Sequence, residues 1–267
     1  MPLMSMITLG DLSTYYEKHG QGAPLLLIHG LGSSTEDWAP QVTALAGTFT
    51  VIAYDVRGHG RTAKPAGTYS VKQFANDAAL LIAQLGLGPM HVMGLSMGGM
   101  IAFQLTADHP ELVRSLVIVN SGPEMVLRTW QEKAAIMQRR LIVRMMGMRK
   151  MGEVLAVRLL PEPQHAALRA TFAERWARND KSAYLRALAA LVGWSVADKL
   201  PAITCPVLVV AADQDYTPVA WKQRYTSLMP HASLVVIPES RHMMPVERPE
   251  LFHAALIPFL AGVRTPG

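Results

Sequence analysis

The chain of 267 residues holds a single cysteine, Cys205, so it has no internal disulfide framework, and a reducing compartment such as the cytoplasm is expected. Charge is scarce. Asp, Glu, Lys and Arg make up 17% of the residues against 50% apolar ones, which excludes a disordered chain. Long apolar runs are missing too. The most apolar stretches, Leu25 to Ile28 and Val207 to Ala212, are strand-sized and far too short to span a bilayer. The opening Met1-Pro2-Leu3-Met4-Ser5-Met6 lacks the basic-then-apolar order of a secretory signal. No group of His, Cys, Asp and Glu has metal-ligand spacing: His29 and His59 are 30 residues apart and His19 stands alone. Gly30 and Gly32 suggest a dinucleotide loop, but the third glycine of that fingerprint would fall at Thr35. The expectation is a soluble, cytoplasmic protein with no cofactor, no metal and no membrane partner.

What the chain has in excess is positive charge, a net +5 with a pI near 9.4. The excess is local, because residues 123–200 carry 14 Lys and Arg against seven Asp and Glu. It recurs at helical intervals (Arg139, Arg140, Arg144, Arg149, Lys150, Arg158) among Leu, Met and Val. That pattern reads as the solvated face of amphipathic helices rather than a phosphate-binding strip, so no nucleic acid is expected as partner. The same field would draw anionic substrates toward a site.

Strand-like and helix-like patterns alternate along the first part. Met6 to Leu9 and Ser13 to Glu17 read as strands around the turn pair Gly10-Asp11. Leu25 to Ile28, Thr50 to Tyr54, His91 to Leu95 and Ser115 to Val119 read as strands covered on both faces. Val71 to Leu85 and Met97 to Asp108 are helix candidates, ended by Gly86 and by Pro110. The alternation stops between 123 and 200, where helices with breaks at Gly147, Gly152, Pro161-Glu162-Pro163 and Gly193 are expected. It resumes with Pro206 to Ala212, Ser233 to Ile237 and a last helix from Pro249. The expected architecture is α/β: a mostly parallel, doubly wound sheet of about eight strands, with a core domain formed by 1–122 and 201–267 and a helical lid formed by 123–200.

The strongest chemical signal is Gly94-Leu95-Ser96-Met97-Gly98, where a strand ends, a serine occupies a tight turn and a helix begins. That geometry lifts the Ser96 hydroxyl out at the carboxyl end of the sheet, with the helix N-terminus directed at it. A serine hydroxyl is a poor nucleophile at neutral pH and needs a base within hydrogen-bond reach. Of nine histidines, His242 follows the last strand at the same sheet edge and is the candidate base. The acid that fixes its tautomer comes from Asp213-Gln214-Asp215; Asp215 lies further past the strand end and is preferred, with Asp213 capping a turn or helix. Two backbone N–H groups are needed for an oxyanion, and Met97 and Leu31 are expected to supply them. Met125, Trp130 and Met243 are candidate substrate-binding residues, Trp194 an alternative wall, with plain packing the competing reading for each.

Taken together, His29-Gly30-Leu31-Gly32, Asp55-Val56-Arg57-Gly58-His59-Gly60, Gly94-Leu95-Ser96-Met97-Gly98-Gly99, Asp215 and His242 resemble the α/β-hydrolase superfamily over nearly the whole chain. The resemblance implies structural roles for Asp55, Arg57 and His59. Branches that carry aspartate at the nucleophile, or Asn before and Trp after the catalytic residues, differ at Ser96, Leu95, Met97 and Met243. The elbow wording is most similar to the 3-oxoadipate enol-lactonase and small carboxylesterase branch. The expected activity is cleavage of a small carboxylic ester or lactone through an acyl-enzyme. A dedicated enol-lactonase, amidase or thioesterase is the alternative on the same apparatus. A hydrolase-fold ligand receptor is the alternative of another class. Oligomeric state stays open at this level.

Overall fold

In a computed structural model, which describes residues 3–263, the alternation read from the sequence becomes one sheet with helices on both faces. The elements run β1 (Leu3–Leu9), β2 (Leu12–His19), β3 (Ala23–Ile28), α1 (Ala39–Leu45), β4 (Phe49–Tyr54), α2 (Val71–Leu85), β5 (Met90–Leu95), α3 (Met97–Asp108) and β6 (Val113–Val119). Then come α4 (Trp130–Leu159), α5 (Ala166–Ala177), α6 (Lys181–Leu191), β7 (Val207–Ala212), α7 (Val219–Thr226), β8 (Ala232–Ile237), α8 (Met244–Glu247) and α9 (Pro249–Gly262). The eight strands lie in the order β1-β2-β4-β3-β5-β6-β7-β8. β1 and β2 pair antiparallel and β2 meets β4 antiparallel, while the remaining neighbours are parallel.

Period-two alternation splits the core into two layers. Leu26 and Ile28 of β3 face Phe74, Leu81, Ile101 and Phe103 of α2 and α3. Leu25 and Leu27 face the opposite layer, with Trp38, Phe252 and Leu256. β4, β5 and β7 are buried at every position, which is why they read as continuous apolar runs.

Between β6 and β7 the chain makes the helices α4, α5 and α6, as the loss of alternation implied. Pro161-Glu162-Pro163 separates α4 from α5, and Gly147 (φ 81°, ψ −178°) leaves helical geometry, the break expected there, so that α4 is two helical stretches joined across a kink. Gly152 is a correction. It lies inside α4, and a Cβ there would stand 2.7 Å from the Cβ of Trp176, so this glycine lets α4 and α5 approach rather than breaking a helix. The short helices α1 and α7 were not visible in the sequence pattern.

Candidate active site

Ser96 sits between β5 and α3 with φ 55° and ψ −116°, a left-handed conformation that only the surrounding bonds sustain in a non-glycine residue. Its N–H donates to Val119 O at 3.0 Å, and its carbonyl accepts from Gly99 N at 2.9 Å, Met100 N at 3.1 Å and Ser121 Oγ at 2.6 Å. Both flanking glycines are sterically required. A Cβ at Gly94 would lie 2.2 Å from Gly98 O, and one at Gly98 would lie 2.0 Å from Ile28 O. The turn after β3 packs on this elbow, since a Cβ on Gly30 would be 3.6 Å from Ser96 Cβ. Met97 opens α3, so its N–H has no partner within the helix. Leu31 lies in the adjoining loop, and among the described residues no acceptor takes the N–H of either.

The loop is held from behind. His29 accepts from Val56 N at 3.0 Å through Nε2, which leaves Nδ1 to donate to Gly30 O at 2.8 Å. Burial brings His29 down to about 4, so it is neutral at physiological pH and a fixed strut. Asp55, fully buried, accepts from Thr35 N at 2.8 Å and Arg61 N at 2.7 Å. Arg57 makes two bonds of 2.8 Å to Asp77, both side chains buried. Burial and the neighbouring His29 push His59 down to about 3.

On the other side of Ser96, the loops after β7 and β8 bring Asp215 and His242 together, Oδ1 to Nδ1 at 2.8 Å. Asp215 accepts at its second oxygen from Lys222 Nζ at 2.6 Å and from the Thr217 hydroxyl; the side chains of Asp215 and Lys222 are both fully buried. Burial alone would raise Asp215, but the charges and hydrogen bonds of His242 and Lys222 outweigh it and hold the carboxyl well below the usual carboxylate range. Asp213 instead accepts from Glu239 N and Ser240 N, both at 3.1 Å, and so caps the turn before His242. Asn120, at φ 42°, ties the two loops to β6. Its Nδ2 donates to the carbonyls of Arg241 and His242 at 3.1 Å each, and its Oδ1 accepts from Ala212 N at 2.8 Å.

Tyr216 was not anticipated. Its hydroxyl lies 2.8 Å from His242 Nε2, its ring centroid 4.2 Å from the imidazole. Lys222 and Asn120 were also missed. The only signal for Lys222 is a lysine seven residues past the acid, on the face of α7 that returns to it.

The expected substrate-binding residues lie in different places. Trp130 opens α4 with 73% of its surface exposed, so it walls nothing enclosed. Met243 is buried against the insertion and borders a void of about 10 Å³ with Leu160, Phe172 and Val246, room for about one water molecule. Met125 packs on the α2–α3 core layer, its N–H bonded to Trp194 O at 2.8 Å. Trp194 donates through Nε1 to Gln104 at 2.7 Å. A cavity of about 230 Å³ beside the Leu31 loop is lined by Asp37, Arg61, Arg175 and Arg178 among others, a charged wall. Glu162, His165 and Glu247 also converge, yet Arg241 donates from its guanidinium to Glu162 at 2.9 Å and from its N–H to Glu247 at 2.7 Å, so a cation already serves the cluster.

The family model of the alpha/beta hydrolase fold matches residues 23–141. A putative carbamate hydrolase RutD of Agrobacterium fabrum is 30% identical over 262 residues, 92% of this chain and 97% of that protein. A thermophilic esterase from Thermogutta terrifontis superposes with a TM-score of 0.89 at 26% identity, covering 98% of this chain and 100% of that one. The enol-lactonase from Burkholderia xenovorans shares the fold at a TM-score of 0.88 and 24% identity, over 96% and 100%. The chain belongs to the α/β-hydrolase family of enzymes. No described helix is long and apolar enough to cross a membrane.

Proposed function

We propose that this enzyme is a serine hydrolase that cleaves small carboxylic esters or lactones through an acyl-enzyme. The observation that carries the reading is the Asp215–His242 bond of 2.8 Å, on loops facing a strained Ser96 whose turn tolerates only glycine at its flanks. Asp215 accepts the Nδ1 proton, which fixes the tautomer and leaves Nε2 as the base. Nε2 takes the Ser96 proton as Oγ attacks the carbonyl carbon. The tetrahedral oxyanion is met by the N–H groups of Leu31 and Met97 at the positive end of α3. His242 returns its proton to the departing oxygen, and water, deprotonated by the same nitrogen, releases the acid. In this reading residues 123–200 are a lid over the site. Full-length likeness to a putative carbamate hydrolase favours one second reading, a carbamate or amide substrate on the same apparatus.

Pre-steady-state assays with p-nitrophenyl esters of increasing acyl length, with Ser96→Ala as the blank, test the proposal. A burst that peaks at one acyl length and vanishes in Ser96→Ala is expected. Wild-type turnover in Ser96→Ala would refute the nucleophile. Matched ester, lactone, carbamate and amide substrates then separate the two readings by their relative kcat/KM.

A further inference from the structure

Tyr216 is stacked on the acid–base pair, yet no step of acyl transfer needs it. Its ring lies over the His242 imidazole at 4.2 Å between centroids and 31° between planes, and its hydroxyl donates to Nε2 at 2.8 Å. Its own N–H is fixed to Asp215 Oδ1 at 2.9 Å. The Arg158 guanidinium of α4 stands 5.8 Å from the ring, on the side of the insertion. The residue is half-exposed overall, with the hydroxyl end turned into the site. Burial of that hydroxyl and the charge of Asp215 push it above the ordinary phenol range, while hydrogen bonding by Ser96 works in the opposite direction. The phenol therefore keeps its proton and stands against Nε2 of the base.

In acyl transfer, the oxygen that leaves must sit within about 2.6–3.2 Å of the base that protonates it. The Tyr216 oxygen holds that distance to Nε2 now. We propose that Tyr216 determines specificity at the leaving-group subsite: its phenol fills the subsite in the free enzyme, as an aryloxy or alkoxy group would, and a substrate enters by displacing it. The inference rests on the acyl-transfer reading. Displacement costs one hydrogen bond and one stacked pair. It loses little burial, because the ring is already half-exposed. A site competent in only a fraction of molecules raises the apparent KM by the inverse of that fraction. Flat aromatic leaving groups restore the stacking on His242 and compete best, whereas branched aliphatic ones compete worst.

The test compares wild type, Tyr216→Phe and Tyr216→Ala by two readouts. The first is the second-order rate at which a small fluorophosphonate labels Ser96, which needs no knowledge of the substrate. The second is KM and kcat on acetate esters of ethanol, benzyl alcohol and p-nitrophenol. Losing one neutral hydrogen bond predicts about two- to tenfold faster labelling in Tyr216→Phe. A matching fall in KM is expected, with the gain in KM rather than in kcat. Free phenol should inhibit Tyr216→Ala at concentrations that spare wild type, because it refills the vacated ring space. Unchanged or slower labelling in Tyr216→Phe, or equal phenol inhibition of both proteins, overturns the inference. Ser96→Ala separates the failures: labelling that depends on Ser96 but ignores Tyr216 leaves the acyl-transfer reading standing, whereas labelling and turnover that survive Ser96→Ala remove both.

Discussion

Replacing Lys222 with Met isolates what the buried ammonium does for Asp215. The pair is 2.6 Å apart and neither side chain reaches solvent. Burial pulls Lys222 down and the Asp215 charge works against that, while Lys222 joins His242 in holding Asp215 ionised. Removing one member of such a pair costs about 3–5 kcal/mol, because the remaining charge stays buried. At about 2–4 °C per kcal/mol for a chain of this size class, a fall of roughly 6–20 °C in Tm follows. The pH dependence has a definite sign. Asp215 is depressed in the folded state, so it contributes stability above its ordinary carboxylate pKa that is lost as pH falls through the lower folded value. Without Lys222 the folded value rises toward the ordinary one. That contribution shrinks, and the acid limb of kcat/KM moves to higher pH. Thermal melts and a pH–rate profile on an active ester read both effects. A variant with wild-type Tm and an unmoved acid limb would refute the reasoning, and would mean that His242 and the Thr217 hydroxyl suffice to hold the carboxylate.

Asn120→Ala removes the acceptor of the buried Ala212 N–H and both donors to the His242 loop. A loss of about 1–3 kcal/mol is expected from the orphaned N–H alone, measured by urea unfolding, together with a lower kcat as the His242 loop loosens. Arg175→Ala breaks the 2.7 Å link from α5 to Asp37, a partly exposed pair expected to be worth about 1 kcal/mol. Burial already raises the Asp37 carboxyl against the pull of Ser33 and Arg175, so losing the arginine raises it further. A group that binds its proton more tightly when folded favours the native state as pH falls. The stability deficit of Arg175→Ala should therefore narrow on acidification, and a deficit that widens would contradict the assignment.

Residues whose roles follow from backbone constraints were legible in the sequence. Gly94 and Gly98 had to be glycine because carbonyl oxygens would lie 2.2 and 2.0 Å from any Cβ there, and the covered strands had to read as apolar runs. Asp215 and His242 were reachable from topology, since loops after β7 and β8 emerge at one sheet edge. What stayed hidden depends on side-chain direction across long separations. Asn120 and His242 are 122 positions apart in the chain and Arg175 and Asp37 138, and no periodicity encodes such pairs. Tyr216 looked like an ordinary loop residue, and Lys222 is brought to Asp215 by α7, which the sequence pattern did not show. The exposure of Trp130 was hidden for the same reason, because the rotation of its helix decides what it faces.

One group of the hidden contacts ties the insertion to the loops that bear the candidate oxyanion donors and base. Arg175 and Arg178 of the α5 end bond to Asp37 and Glu36 at 2.7 and 2.6 Å, and Asn179 donates to Gly32 O at 2.8 Å, one residue from Leu31. On the opposite flank, Glu162, between α4 and α5, accepts from Arg241 at 2.9 Å, one residue from His242. A rigid displacement of α4 and α5 therefore pulls on both the Leu31 loop and the His242 loop. The same displacement moves Arg158 relative to Tyr216. On the proposed lid reading, substrate entry and the geometry of the candidate catalytic groups are coupled, and substitutions at these polar links are expected to alter kcat as well as KM.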